Sequence, residues 1–283
     1  MEYSIDYLSF TVPFEPPAEG RYYELGELCE QAVSEFLGVS IHAILDNQPF
    51  TVFSGRAPYK VSWGRSDGGV RIFGSPTLSN VLVEITGTGC KTLRSHEALE
   101  KILSMVGNRA SRIDLAVDML TSTTPAEFAA KRDVERFKTI SDIRSATGET
   151  YYVGSQKSDR FARVYRFSSP HPRSASLRAE HVFRRDAAKA FIKSLLAGSY
   201  AGAVAACGKV YGWQHSAWEP GETEPMELVS GQARKSAKNT VNWLYGTVSS
   251  AVAKAYAKDD IDLEHFIAHL RQEVASYGKE LVR

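Results

Sequence analysis

The chain has 283 residues, 43% of them hydrophobic and 24% charged, with a formal net charge of +1. That length suits one large domain or two packed subdomains, and the composition is ordinary for a soluble globular protein. No apolar run approaches the roughly 18 residues of a membrane span, and the first 14 residues lack the basic and apolar regions of a signal peptide. Cys29, Cys90 and Cys207 are too few and too scattered for a disulfide framework, and no C-x-x-C suggests zinc, so a reducing cytoplasm is expected.

Tyr3 to Phe14 reads as a strand closed by prolines. Residues 23–37 place Leu25, Leu28, Cys29, Ala32, Val33, Phe36 and Leu37 on one helical face. Short strand signals run from about 49 to 86, broken by the turn pairs Ser54-Gly55 and Asp67-Gly68. Gly87 and Gly89 permit a tight turn before a helix at 95–106, which Gly107 stops. Ser111 to Met119 is a strand. Thr124-Pro125-Ala126-Glu127 is a capping box with proline at the first helical position, and it predicts a helix to about 138. Tyr151–Val153 and Arg160–Phe167 form a predicted hairpin, and Leu177–Phe183 is a strand followed by a helix from Asp186 to Ala197. Beyond 199 the pattern is helical, with long segments at 229–258 and 260–281 and a Pro/Gly/Glu-rich linker at 215–227. The order predicts an α+β fold, a mostly antiparallel sheet with packed helices, followed by a helical C-terminal region. The expected division is 1–200 and 201–283.

The charge is unevenly placed. Residues 1–60 hold nine acids and three bases, whereas residues 156–190 hold nine bases and three acids. A near-neutral total therefore hides a positive field that attracts polyanions. The arginines there interleave with Phe161, Tyr165, Phe167 and Phe183, a composition that grips phosphates and stacks bases. Lys157, Arg160, Arg166, Arg184 and Arg185 are the candidate DNA contacts.

Four constellations could carry chemistry. In Arg112-Ile113-Asp114-Leu115-Ala116-Val117-Asp118, alternation turns Ile113, Leu115 and Val117 to the core and the polar residues to the other face. Asp114 and Asp118 stand ~13 Å apart, too far to share one ion, but either can join an acid from a neighbouring strand around a hard cation. Glu84 interrupts the apolar strand Val81–Thr86 and must reach solvent or a partner, because burying it unpaired is too costly. Phe161, Arg163 and Tyr165 share a face, and the arginine is a cationic neighbour that favours phenolate. Arg178 and Glu180 share a face of the next strand and can form an ion pair, clamp a phosphate or complete a metal site. The seven histidines include no His-hydrophobic-His triplet. His265 and His269 lack the H-E-x-x-H pattern of a zincin, and no G-x-S-x-G or P-loop occurs.

Taken together, Ile5-Asp6-Tyr7-Leu8-Ser9, Val83-Glu84-Ile85, Arg112 to Asp118, Gly154-Ser155-x-x-Ser158-Asp159-Arg160-Phe161-x-Arg163-x-Tyr165 and Arg178-Ala179-Glu180 resemble, in order and spacing, the replication initiation factor family. These are the Rep proteins of rolling-circle plasmids and filamentous phages, with related conjugative relaxases. The resemblance covers roughly residues 3–200. It implies a core related to the two-histidine nicking enzymes and Tyr165 as the nucleophile that nicks an origin strand. The products would be a 5′-phosphotyrosyl link and a free 3′-hydroxyl, with later rejoining. It implies Glu84, Asp114 and Glu180 as the acids from which the ligands of Mg²⁺ or Mn²⁺ are drawn, and Arg163 and Arg178 are placed to donate charge-assisted hydrogen bonds to the non-bridging phosphate oxygens. It further implies a bacterial cytoplasm and origin DNA, duplex and single-stranded, as partner, with a host helicase, a polymerase and a second copy of the chain as candidates. Arg166-Phe167-Ser168-Ser169 follows the tyrosine where family members often carry an acid and a lysine. Arg234, Lys235 and Lys238 in the tail are candidate contacts to the origin duplex. A conjugative relaxase, a non-catalytic DNA-binding regulator and a two-metal nucleotidyltransferase are the rival readings.

Overall fold

A computed structural model of the chain describes residues 2–17, 24–38, 40–41, 50–92, 96–145, 148–166, 177–198 and 200–213, and isolated positions between 256 and 272. The chain divides into two compact units, Met1–Gly231 and Gln232–Arg283. Apart from those isolated positions, the long C-terminal segments lie outside the described residues, as do the linker at 215–227 and the candidate contacts Arg234, Lys235 and Lys238.

The first unit is built on one ten-stranded sheet. Its strands are β1 (Glu2–Pro13), β2 (Phe50–Ser54), β3 (Val61–Arg65), β4 (Val70–Gly74), β5 (Asn80–Thr86), β6 (Ala110–Met119), β7 (Ile140–Ser145), β8 (Gly148–Val153), β9 (Arg160–Tyr165) and β10 (Leu177–Arg184). The spatial order is β2-β3-β4-β5-β1-β6-β10-β9-β8-β7, and every neighbouring pair is antiparallel. The helices are α1 (Leu25–Leu37), α2 (Gly87–Thr92), α3 (His96–Val106), α4 (Pro125–Ala130), α5 (Arg185–Ala197) and α6 (Tyr200–Tyr211). The architecture is thus the α+β class with a mostly antiparallel sheet that the alternating strands predict. Among the described residues no helix is long and apolar enough to cross a membrane.

Alternation decides where the helices go. Leu8, Phe10 and Val12 of β1, Val81, Val83 and Ile85 of β5, Ile113, Leu115 and Val117 of β6 and Leu177, Ala179 and Phe183 of β10 form one apolar surface, and all are buried. Helices α1, α3 and α5 present Leu25, Cys29, Val33, Ile102, Leu103, Val106, Phe191 and Ile192 to the same core. Helix α5 packs on β6 and β10, and α1 on β1 and β4. The helix at 200–211, expected with the tail, belongs to the first unit. Its Tyr211 is buried and stacks on Trp213 at 4.9 Å.

Three local expectations change. The capping box is present, with Thr124 accepting from the Glu127 amide and Glu127 reaching back to the Thr124 amide. Helix α4 nevertheless ends at Ala130, not near 138. Asp133 takes the amides of Glu135 and Arg136 on its carboxylate, and Arg132 donates to the carbonyls of Phe137 and Lys138, so local side-chain bonds fold the chain into turns. Gly87 and Gly89 lie in the short helix α2 rather than in a turn. Strand β7 lacks apolar alternation and went unread in the sequence; most of it is exposed, as an edge allows.

Candidate active site

The opposite face of the sheet is polar, and its centre carries the site. Strand β6 contributes Arg112, Asp114 and Asp118, β10 contributes Arg178, Glu180 and Arg184, β9 contributes Phe161, Arg163 and Tyr165, and β5 contributes Glu84. Register sets the neighbours. Arg178 lies opposite both Asp118 and Tyr165, and Glu180 opposite both Ala116 and Arg163. Asp114 lies opposite Tyr7 of β1 and Val182 of β10.

The Tyr165 hydroxyl donates to the Glu180 carboxylate. The Arg163 guanidinium pairs with the same carboxylate and donates to Asp114 Oδ2 at 3.3 Å. Arg112 closes on Asp114 with two bonds, Nε to Oδ1 at 2.8 Å and Nη2 to Oδ2 at 2.5 Å. Arg178 grips Asp118 in the same bidentate way at 2.6 and 2.7 Å and reaches Asp6 at 3.1 Å. Asp114, Glu180 and Arg178 are buried, whereas Tyr165 is half-buried. Buried charges persist only when paired and hydrogen-bonded, and here every one is.

The electrostatics corrects one expectation. The arginine two residues before Tyr165 does not make a phenolate of it. Arg163 is engaged by Glu180 and Asp114, while burial, then the Glu180 charge and hydrogen bond, push the Tyr165 phenol upward; Arg178 opposes them. Tyr165 is a neutral phenol resting on a carboxylate. Burial raises the Glu180 carboxyl above its ordinary range against the pull of Arg163. Burial likewise raises Asp114 against Arg112 and Arg163. Glu180 is therefore more basic than a solvated glutamate and is already hydrogen-bonded to the hydroxyl it would deprotonate.

The three acids expected to hold a divalent ion are not gathered as one set. Arg163 joins Asp114 to Glu180. Glu84 is separate, paired with Arg56. Among the described residues, no three His, Cys, Asp or Glu side chains are close enough to hold an ion. Asp114 and Glu180 have the hard oxygen donors that Mg²⁺ or Mn²⁺ prefers, and Arg163 neutralises both.

The candidate DNA contacts divide. Lys157 is exposed in the β8–β9 turn, and Arg185, exposed at the start of α5, pairs with Asp159 of that turn. Arg184 stacks on Phe161 at 4.8 Å on the site face. Arg160 has the opposite parity from Tyr165 and lies over Phe183 on the helix side, and Arg166 acts on Glu127 of α4. The Gly154-to-Asp159 block builds the hairpin: Gly154 takes a φ of 88°, Ser155 accepts the Lys157 amide, and Ser158 accepts the Arg160 amide.

Asp6 was missed. A strict period of two puts it on the core side with Leu8, Phe10 and Val12. A β-bulge at Asp6 moves the register between Ile5 and Tyr7, so that Asp6 meets Arg178 and Tyr7 lies opposite Asp114. Gly87 at the start of α2 leaves room for it, since a Cβ there would come within 2.8 Å of Asp6 Oδ1. A carboxylate in phase with three core residues was the available signal.

No family model matches the chain, and no curated protein matches its sequence. Among solved structures, the fold is similar to that of a rolling circle replication initiator protein from Geobacillus stearothermophilus, with a TM-score of 0.53 and 17% identity, over 80% of this chain and 93% of that one. The likeness shows the fold.

Proposed function

We propose that the chain is a rolling-circle replication initiator that nicks one strand of its origin through Tyr165. The observation that carries this reading is the Tyr165 hydroxyl hydrogen-bonded to buried, basic Glu180 between Arg163 and Arg178. It lies on the polar face of a sheet whose fold is similar to that of an initiator. Tyr165 Oη attacks the scissile phosphorus, its proton passes to Glu180, and the bond from phosphorus to the 3′ oxygen breaks. The products are a 5′-phosphotyrosyl ester and a free 3′-hydroxyl, and the ester keeps the bond energy needed for rejoining. An incoming phosphate competes with Asp114 and Glu180 for Arg163, whose guanidinium then faces the non-bridging oxygens. Arg178, held by Asp118 and Asp6, lowers the cost of negative charge on the phenolic oxygen. Asp114, and Glu180 when it carries no proton, are the residues that, released from Arg163, would hold Mg²⁺ or Mn²⁺, and the ion would supply positive charge at the phosphate. Lys157, Arg184 and Arg185 supply sequence-independent contacts to the strand entering along the hairpin.

The test is covalent capture. Wild-type protein incubated with supercoiled origin plasmid is expected to yield nicked circles with protein attached. Tyr165→Phe is expected to bind the same DNA while nicking at least ~10³-fold more slowly. A Tyr165→Phe protein that nicks at the wild-type rate rejects the assignment. Excess EDTA is expected to stop nicking without releasing the DNA, and added Mn²⁺ to restore it; undiminished nicking in EDTA rejects the cation.

A further inference from the structure

The polar face extends well beyond the strands of the site, and its outer part carries arginines laid on aromatic rings. Register puts Phe53 of β2 and Arg71 and Phe73 of β4 on the same face as Glu84. The Arg71 guanidinium lies over the Phe53 ring, 4.6 Å from its centroid. Arg56, from the loop between β2 and β3, lies over Phe73 at 4.5 Å and pairs with Glu84. Its side chain is still 54% exposed, so the guanidinium is open to solvent. The loop is pinned to the sheet, Tyr59 donating to Asn80 Oδ1 at 2.8 Å and the Lys60 amide to the Gly74 carbonyl at 3.0 Å. Arg56, Lys60 and Arg71 outnumber Glu84, and Arg71 makes no ion pair among the described residues. Packing does not require this arrangement. Val52, on the helix side of β2, is 72% exposed, so no helix covers the strand there. Phe53 therefore completes no apolar core; its cover is Arg71.

Guanidinium planes and aromatic rings are the groups on which unpaired bases stack, and arginine adds a phosphate contact. A duplex hides its base faces and gains nothing from the rings. We propose that this outer surface, β2 to β4 with the 55–60 loop, holds single-stranded DNA away from the scissile bond; the identity of the strand rests on the nicking reading of Tyr165. In the sheet order β4 is five strands from β9, or ~24 Å at the usual spacing. Lys157, Arg184 and Arg185 lie on or beside β9 and β10 and cannot serve there. Between the two regions Arg112 lies over the Tyr7 ring at 4.3 Å, which continues the pattern across β6 and β1. The outer surface thus holds a segment several nucleotides from the cut and tolerates its sequence, because every base has a face to stack.

Full-length protein is titrated with a fluorescent, mixed-sequence single strand of about 16 nucleotides, and with the same sequence as a duplex. Phe53→Ala is expected to weaken single-strand binding about tenfold and duplex binding little. Arg71→Gln is expected to lower the slope of log affinity against log salt by about 0.7, the loss of one phosphate contact. In wild-type protein, iododeoxyuridine placed along the strand is expected to crosslink to peptides of β2 to β4 and the 55–60 loop. The proposal is overturned if the crosslinks miss those peptides, or if both variants keep the wild-type affinity and salt slope. It is also overturned if a folded Phe53→Ala protein loses affinity for both forms of DNA alike. The wild-type crosslinks decide the matter whether or not a variant folds. Crosslinks on β2 to β4 without a phosphotyrosyl adduct on origin plasmid leave this surface standing and reject the nicking reading. An adduct with crosslinks on β9 and β10 alone does the reverse.

Discussion

The two faces of the central sheet are made by the same strands and obey opposite rules. On β6, Ile113, Leu115 and Val117 are covered by helices, while one residue out of phase Arg112, Asp114 and Asp118 carry charge. The apolar face gains stability from each group it removes from water, at roughly 25 cal/mol per Å². The polar face gains little, because desolvation of buried ion pairs offsets most of their attraction. Burial pushes the Asp114 and Glu180 carboxyls upward against the arginines beside them. One face therefore holds the fold together, and the other keeps reactive groups in an arrangement that the fold has to support.

The sharpest separation of the two comes from Glu180→Gln. The amide retains hydrogen bonds to Tyr165 and Arg163 but cannot take a proton. Nicking is expected to fall about 10²- to 10³-fold, with no loss of melting temperature. A carboxyl raised by folding is less stabilising when ionised, so neutralising it does not weaken the folded state above its pKa. The wild-type rate is expected to rise with pH through a limb set by Glu180, above the ordinary glutamate value of about 4.3, and the variant to lack that limb. An unchanged pH profile in Glu180→Gln would show that another group accepts the proton.

The converse change is Leu115→Ala. Leu115 is fully buried, opposite Ile5 and His181, one residue from Asp114. Truncation is expected to cost about 3 kcal/mol of unfolding free energy in urea or guanidinium titration. At temperatures where the variant is folded, it is expected to retain most of its nicking rate. A collapse of activity without loss of stability would mean that the two faces are mechanically coupled at β6.

What the sequence disclosed follows the same division. Period-two alternation was legible in β5, β6, β9 and β10, and it separated core residues from polar ones correctly at Ile113, Asp114, Arg178 and Glu180. It failed at Asp6, where a bulge shifts the phase, and at β7, an edge strand with no buried face to impose a pattern. Tyr165 could be singled out because a recognisable block precedes it; in the structure that block builds the turn that starts β9. The partners of the acids were not legible. Arg56 reaches Glu84 from a loop 28 residues away in sequence, and Arg163 bridges to Asp114 across 49 residues. Pairing of that kind depends on strand order, and the chain order of the elements does not specify which strands become neighbours. The arginine partners of these acids, Arg56 for Glu84 and Arg163 for Asp114, were therefore not foreseen.

His181 sharpens the comparison from the covered side. It lies between Glu180 and Val182 but has the opposite parity, fully buried with Tyr211 at 4.9 Å and Trp213 at 5.4 Å. Burial alone pushes its pKa down to about 3, whereas the unfolded chain binds a proton near 6.5. A group depressed on folding contributes stability that is complete above its unfolded pKa and lost as pH falls toward its folded one. Between pH 7 and pH 5 the loss from this residue amounts to about 2 kcal/mol. Asp114 and Glu180, raised on folding, act in the other direction, so the total slope of wild-type stability mixes both signs. Subtracting the stability curve of His181→Gln from that of the wild type removes the carboxyl contributions common to the two. The difference is expected to decrease steadily below pH 6.5; a flat difference would mean that the imidazole carries a proton in the folded core.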